Sequence, residues 1–120
     1  MTTRAPGPIG SAAEDQALRL LLARGLVLME RNFRCRLGEI DLIMRDGQAV
    51  VFVEVRFRSD RRHGSAAETV SLPKRRRFVA AARRYLQQHP AAARGACRFD
   101  VVAITGEQVE WLRGAFGADY

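Results

Sequence analysis

Gly38–Arg58, GEIDLIMRDGQAVVFVEVRFR, reads as two β-strands joined by a tight turn, and it gathers three carboxylates and an arginine that strand pairing alone does not call for. Asp46-Gly47 is the turn signal, because a two-residue hairpin loop needs backbone at positive φ and glycine supplies it at little cost. Ahead of it, Ile40, Leu42 and Met44 alternate with Glu39, Asp41 and Ile43. Behind it, Val50 to Val55 is almost continuously apolar, the pattern of a strand buried on both faces. Glu54 interrupts that run and Arg56 ends it. With Asp46 and Gly47 as the loop, Asp41 faces Phe52 and Glu39 faces Glu54. Side chains alternate with period two, so Glu39, Asp41, Glu54 and Arg56 project from one face. Asp41 and Glu54 become diagonal neighbours, roughly 5 to 8 Å apart at their β-carbons. Carboxylates held that close repel unless a proton or a cation lies between them. A hard divalent cation such as Mg²⁺ takes ligands of this kind, one or two carboxylates with waters and substrate phosphates. The competing reading is a structural ion-pair cluster in which Arg56 and Arg58 neutralise the acids.

At 120 residues, 48% of them hydrophobic and 28% charged, the chain has the composition of one globular domain. No apolar run approaches the roughly 20 residues of a membrane span, and the N-terminus has no apolar signal-peptide core. A cytoplasmic protein with Cys35 and Cys97 as reduced thiols is expected. The formal charge of +7 favours a polyanionic partner, nucleic acid before an anionic membrane surface. Arginine-rich composition by itself is the competing explanation, since Lys74 is the only lysine among the 20 basic residues.

In chain order, residues 1–9 read as a disordered tail and 10–120 as a single domain. Ser11-Ala12-Ala13-Glu14 has the form of a capping box opening a helix that runs to about Arg24, with Ala13, Ala17, Leu20, Leu21 and Ala23 on its apolar face; Gly25 stops it. Leu26 to Arg34 reads as a strand, followed by the Gly38–Arg58 pair. Ser59 to Val70 reads as a mobile loop, with His63 solvated. Ser71 caps a second helix, with Pro73 in its first turn, that extends to about Gln88. Its apolar stripe is Phe78, Val79, Ala82, Tyr85 and Leu86, and Lys74, Arg75, Arg76 and Arg77 head its basic surface, which suits phosphates without reading sequence. Cys97 to Ile104 and Gln108 to Arg113 complete the order α-β-β-β-α-β-β. Phosphate loops, nucleophile elbows and zinc spacings are absent from the sequence.

GEIDLI, the hairpin, FVEVR, the basic helix and RFDVVAI together resemble the YraN-like family, small bacterial proteins regarded as distant relatives of archaeal Holliday junction resolvases. The resemblance runs from about Gly10 to Phe116. It implies an α/β, restriction-endonuclease-like fold, with a mixed central β-sheet flanked by helices, and the D…(D/E)-x-K nuclease site of that fold. By motif, Asp41 matches the first metal-binding acid and Glu54 the second. The main-chain carbonyl of Val55 is implied as a further ligand, Glu14 aligns with an acid on the first helix, and Glu39 lies within the GEIDLI pattern. One position departs: the family pattern has lysine where this chain has Arg56. Arginine binds phosphate and stabilises developing charge, but it stays charged and cannot act as a base. Lys74 corresponds to a lysine the family carries at the start of the second helix.

The expected function is that of a Mg²⁺- or Mn²⁺-dependent endonuclease-type domain acting on DNA, structured or branched. Asp41 and Glu54 would hold the ion, and Arg56 and Lys74 would serve catalysis. Arg56, Arg58, Lys74, Arg75, Arg76 and Arg77 would contact nucleic acid. The first alternative is a non-catalytic nucleic-acid-binding module on the same fold. The second is a protein-interaction domain using Trp111 to Phe116. Resolvase relatives work as dimers, so a homodimer is a further expectation that the resemblance carries.

Overall fold

The most apolar segment of the chain becomes the central strand. The structure, a computed structural model, describes residues 8–58, 68 and 70–117. In order the elements are α1 (Pro8–Ala23), β1 (Val27–Cys35), β2 (Gly38–Asp46), β3 (Ala49–Arg58), α2 (Leu72–Gln88), a 3₁₀ turn (Ala92–Arg94), β4 (Cys97–Thr105) and β5 (Gln108–Phe116). They form the expected α/β arrangement, one five-stranded mixed sheet of order β1-β2-β3-β4-β5. Only β3 and β4 pair in parallel, with α2 in the crossover between them; the other neighbours are antiparallel.

Both faces of β3 are covered, which is why its sequence lacks polar alternation. Val50 and Phe52 join Phe78, Val79 and Tyr85 of α2 and Phe99 of β4 in one core. Val51 and Val53 join Ala13, Ala17 and Leu21 of α1 in the other. The first core is aromatic: Phe52 stacks on Phe99 at 5.6 Å and Phe99 on Phe116 at 5.5 Å. Ring pairs of this kind add about 0.5–1.5 kcal/mol beyond area burial. Phe116 thereby fastens the end of β5 to α2.

α2 begins as its sequence predicts. Ser71 is the N-cap, its Oγ accepting the Lys74 N–H at 3.3 Å, and Pro73 lies in the first turn. α1 differs. It opens at Pro8, whose preset φ and missing N–H suit a first turn. Ser11 and Glu14 therefore lie within the helix, not at its cap, and Ala23 is exposed. Of the expected tail, residues 1–7 lie outside the described residues, while Pro8 and Ile9 are helical. The Ser59–Val70 loop and His63 fall almost wholly outside them too; of that stretch, Val70 is buried in the α2-side core.

The β2–β3 turn is shifted. Asp46 pairs with Ala49, so the loop is Gly47-Gln48. Gly47 has φ +61°, the type II′ pattern of positive φ at the first loop residue. Asp46 is drawn into the strand end by Arg98 of β4, whose guanidinium reaches its Oδ2 at 3.0 Å. Arg98 also bonds Asp100, a fully buried carboxylate that accepts from Trp111 Nε1 and from the Gly114 N–H, both at 2.9 Å. The outer strand β1 carries a bulge between Leu28 and Glu30, and Asn32 lies at φ +55°. Cys35 and Cys97 are both free thiols. Among the described residues no helix is long and apolar enough to cross a membrane.

Candidate metal and phosphate site

Moving the turn by one residue slides the register of β2 against β3 by two. A slip of two leaves every side chain on its face, so the expected shared face survives, but the partners change. The observed pairs run from Asp46↔Ala49 to Leu42↔Val53. One step further along the same register, Asp41 stands directly across from Glu54, not diagonal to it. The ladder gives way there. Asp41 Oδ2 accepts the Val55 N–H at 2.8 Å, a bond that a main-chain carbonyl makes in a regular ladder. Alternation in β2 breaks at the same residue, since Ile40 packs in the α2-side core and Leu42 in the α1-side core. Asp41 thus fills the gap where the two strands part.

Glu54 is 4% exposed, and in its protonated form it donates to Asp41. Burial, followed by the charge of Asp41, pushes the Glu54 carboxyl up to about 8. Asp41 is also raised, by burial, against the lowering effect of the Val55 N–H. Lys74 Nζ lies 3.4 Å from Glu54 Oε1 and brings an ammonium from the first turn of α2 to the acid pair. That approach depends on Gly38. A β-carbon there would lie 2.5 Å from the carbonyl oxygen of Arg77, so the start of β2 presses against α2's backbone only because the side chain is missing.

Glu54 opens onto a cavity of about 330 Å³ between the β1–β2 turn and α2, lined also by Lys74, Arg34, Arg36, Arg77 and Phe78, among others, with Asp41 behind it. Arg34 and Arg36 escape notice in the sequence because the wall they form exists only once β1 folds back against α2. Their signal was the RCR flanking Cys35. Arg56 is half-buried and its charge bears on Glu54. Its Nε is buried with no hydrogen-bond partner among the described residues. Polar groups in that condition call for a ligand or a water.

Other expected residues are placed differently. Glu14 is buried, its carboxyl raised by burial and by Asp41, but it is held by Arg31, whose Nε donates to it at 3.3 Å. Glu39 is exposed on the rim and paired with Arg34 at 3.4 Å. Arg58 reaches Glu110 of β5 at 3.1 Å. The basic run on α2 does not form one stripe, because successive helical residues turn by about 100°. Lys74 and Arg77 face the cavity and Arg76 is exposed. Arg75 instead donates to the Val70 carbonyl at 2.9 Å and lies over the Phe116 ring.

Among the described residues no three His, Cys, Asp or Glu side chains converge into a metal-binding group. Two facing carboxylates with a proton between them nonetheless match the donor set that Mg²⁺ or Mn²⁺ uses when waters and substrate oxygens fill the remaining positions. The residues fit an ion of that kind and do not form an all-protein cage.

Residues 13–104 match the model of the uncharacterised protein family UPF0102. The chain is 52% identical to the UPF0102 protein of Alkalilimnicola ehrlichii over 117 residues, covering 95% of this chain and 93% of that protein. It is 54% identical to the Ralstonia nicotianae member over 114 residues (92% and 87% covered) and 53% identical to that of Aeromonas hydrophila over 108 residues (89% and 83% covered).

Proposed function

The chain belongs to the UPF0102 family, the YraN-like group that its motifs resemble, and we propose that it is a divalent-metal-dependent endonuclease-type domain acting on structured or branched DNA. One observation carries the reading. Asp41 and Glu54 face each other where β2 and β3 part, with Lys74 Nζ 3.4 Å from Glu54, at the edge of an arginine-lined cavity. A buried pair of acids that must share a proton is costly unless a cation is to take that proton's place. The cation, when bound, neutralises phosphate charge and acidifies water.

The chain's own residues supply the rest. Arg36 and Arg77 line the cavity and offer donors to non-bridging phosphate oxygens, which guanidinium groups bind in pairs, and half-buried Arg56 adds positive charge beside Glu54. Hydrolysis forms a P–O bond from water and breaks the P–O bond to the leaving sugar oxygen, which takes up a proton. Lys74 lies beside the acid pair with N–H donors for the attacking water or for the phosphate as its charge grows. It supports the reading that a lysine on α2 does the work that Arg56, on the strand, cannot.

The test is cleavage of a labelled four-way junction and a linear duplex with Mg²⁺ or Mn²⁺. Wild type is expected to cut, and Glu54→Ala to lose at least about 10²-fold in rate. Equal activity in the two proteins identifies a contaminating nuclease and ends the proposal. Arg56 favours one second reading, a DNA-binding module without catalysis. It predicts salt-sensitive binding with no cleavage, and activity gained on Arg56→Lys.

A further inference from the structure

On the other face of the sheet, α1 and β5 enclose a groove of about 470 Å³ lined by Leu20, Arg24, Val109, Trp111 and Arg113. We propose that this groove binds an unpaired nucleic-acid strand, a contact separate from the acid pair. Three observations carry it. Trp111 is fixed in place, because its Nε1 donates to the buried Asp100 at 2.9 Å. The Arg113 guanidinium lies 4.1 Å from the centre of the Trp111 ring, so an aromatic and a planar cation already form a two-layer stack. Arg24 and Arg113 are exposed, the groove lining contains no acid, and neither arginine has a carboxylate partner among the described residues.

This is the chemistry of single-strand recognition: a guanidinium held flat on a fixed indole as the platform for a base, with a second cation beside it for the backbone. A base extends the Trp111–Arg113 stack by one layer while Arg24 meets the adjoining phosphate. Duplex DNA keeps its base faces stacked inward, so the occupant is an unpaired strand. Position agrees with this. Trp111 pairs with Val102, and Val102 with Val55, the residue next to Glu54, which places Trp111 one residue out of the acid pair's cross-sheet row, on the opposite face and about 10 Å from Val55. The groove stands as a binding site whether or not the acid pair cleaves anything.

Trp111 is the only tryptophan in the chain, so its emission reports on this groove alone. The full-length protein is titrated at low salt with a deoxythymidine oligomer of about 12 nucleotides. Saturable quenching is expected, weakening as salt rises, with the duplex of equal length much less effective. Arg113→Glu and Arg24→Glu should each weaken single-strand binding about ten-fold, more than Arg45→Glu, an equal charge change at an exposed site on β2. Trp111→Phe, followed by oligonucleotide anisotropy, should retain part of the affinity that Trp111→Ala loses. Glu54→Gln should leave quenching unchanged, which separates this proposal from the cleavage reading. Absent quenching, equal quenching by duplex, or Arg45→Glu matching Arg113→Glu would each overturn it. So would emission that changes with protein concentration alone, which assigns the groove to a second copy of the chain.

Discussion

Glu54 shows most directly how the site couples to the rest of the protein. Its carboxyl titrates near 4.5 in an unfolded chain and at about 8 in the folded one. Between those values the folded state binds the extra proton, so stability falls as pH rises through the window, by about 1.4 kcal/mol per pH unit at most. Asp41 and Glu14 are shifted in the same direction and add to the trend. Thermal melts in EDTA should therefore show a lower midpoint at about pH 8 than at about pH 5.5. Glu54→Gln should flatten that slope and exceed wild type in stability at the alkaline end. A wild-type midpoint independent of pH would mean the carboxyl is not held as an acid.

At the scale of elements, Gly38 decides where α2 sits. Gly38→Ala places a β-carbon against the Arg77 carbonyl, so either the start of β2 or the first turns of α2 must shift. The expected result is a loss of about 1–3 kcal/mol in denaturant unfolding, together with weakened metal-dependent activity as Lys74 moves off Glu54. Wild-type stability and activity in this variant would show that the contact can relax freely. The same scale explains what could be read from the sequence. The buried β3 run, the Ser71 cap and the α2 stripe were legible because each depends on residues a few positions apart. The turn lies one residue beyond its local signal because Arg98, distant in sequence, draws Asp46 into β2. The acids share one face in either register, since the two differ by an even number of residues. Arg75 leaves the basic surface that its sequence suggests because the carbonyl of Val70 and the ring of Phe116 hold it. Ser11 and Glu14 have the form of a capping box, but Pro8 opens the helix earlier and leaves both inside it. Arg34 and Arg36 carry no local pattern that distinguishes them from other surface arginines.

For the whole molecule, a cation that replaces the shared proton links binding to global stability. At about ten times its Kd, Mg²⁺ or Mn²⁺ should raise the thermal midpoint by about 5 °C near pH 8, and Asp41→Asn should abolish most of the rise. Equal shifts in both proteins would place the ion elsewhere. The sheet has two outer strands, and β1 bears three exposed apolar side chains in a row, Val27, Leu28 and Met29. A straight strand of that composition is a template for other chains to add to, copy upon copy. The bulge between Leu28 and Glu30 and the left-handed Asn32 deny it that regularity, since an incoming strand would lose register within a few residues. The irregularity of β1 therefore acts as a guard against fibre growth, and it lets an apolar edge persist at the end of the strand away from the arginine-lined cavity.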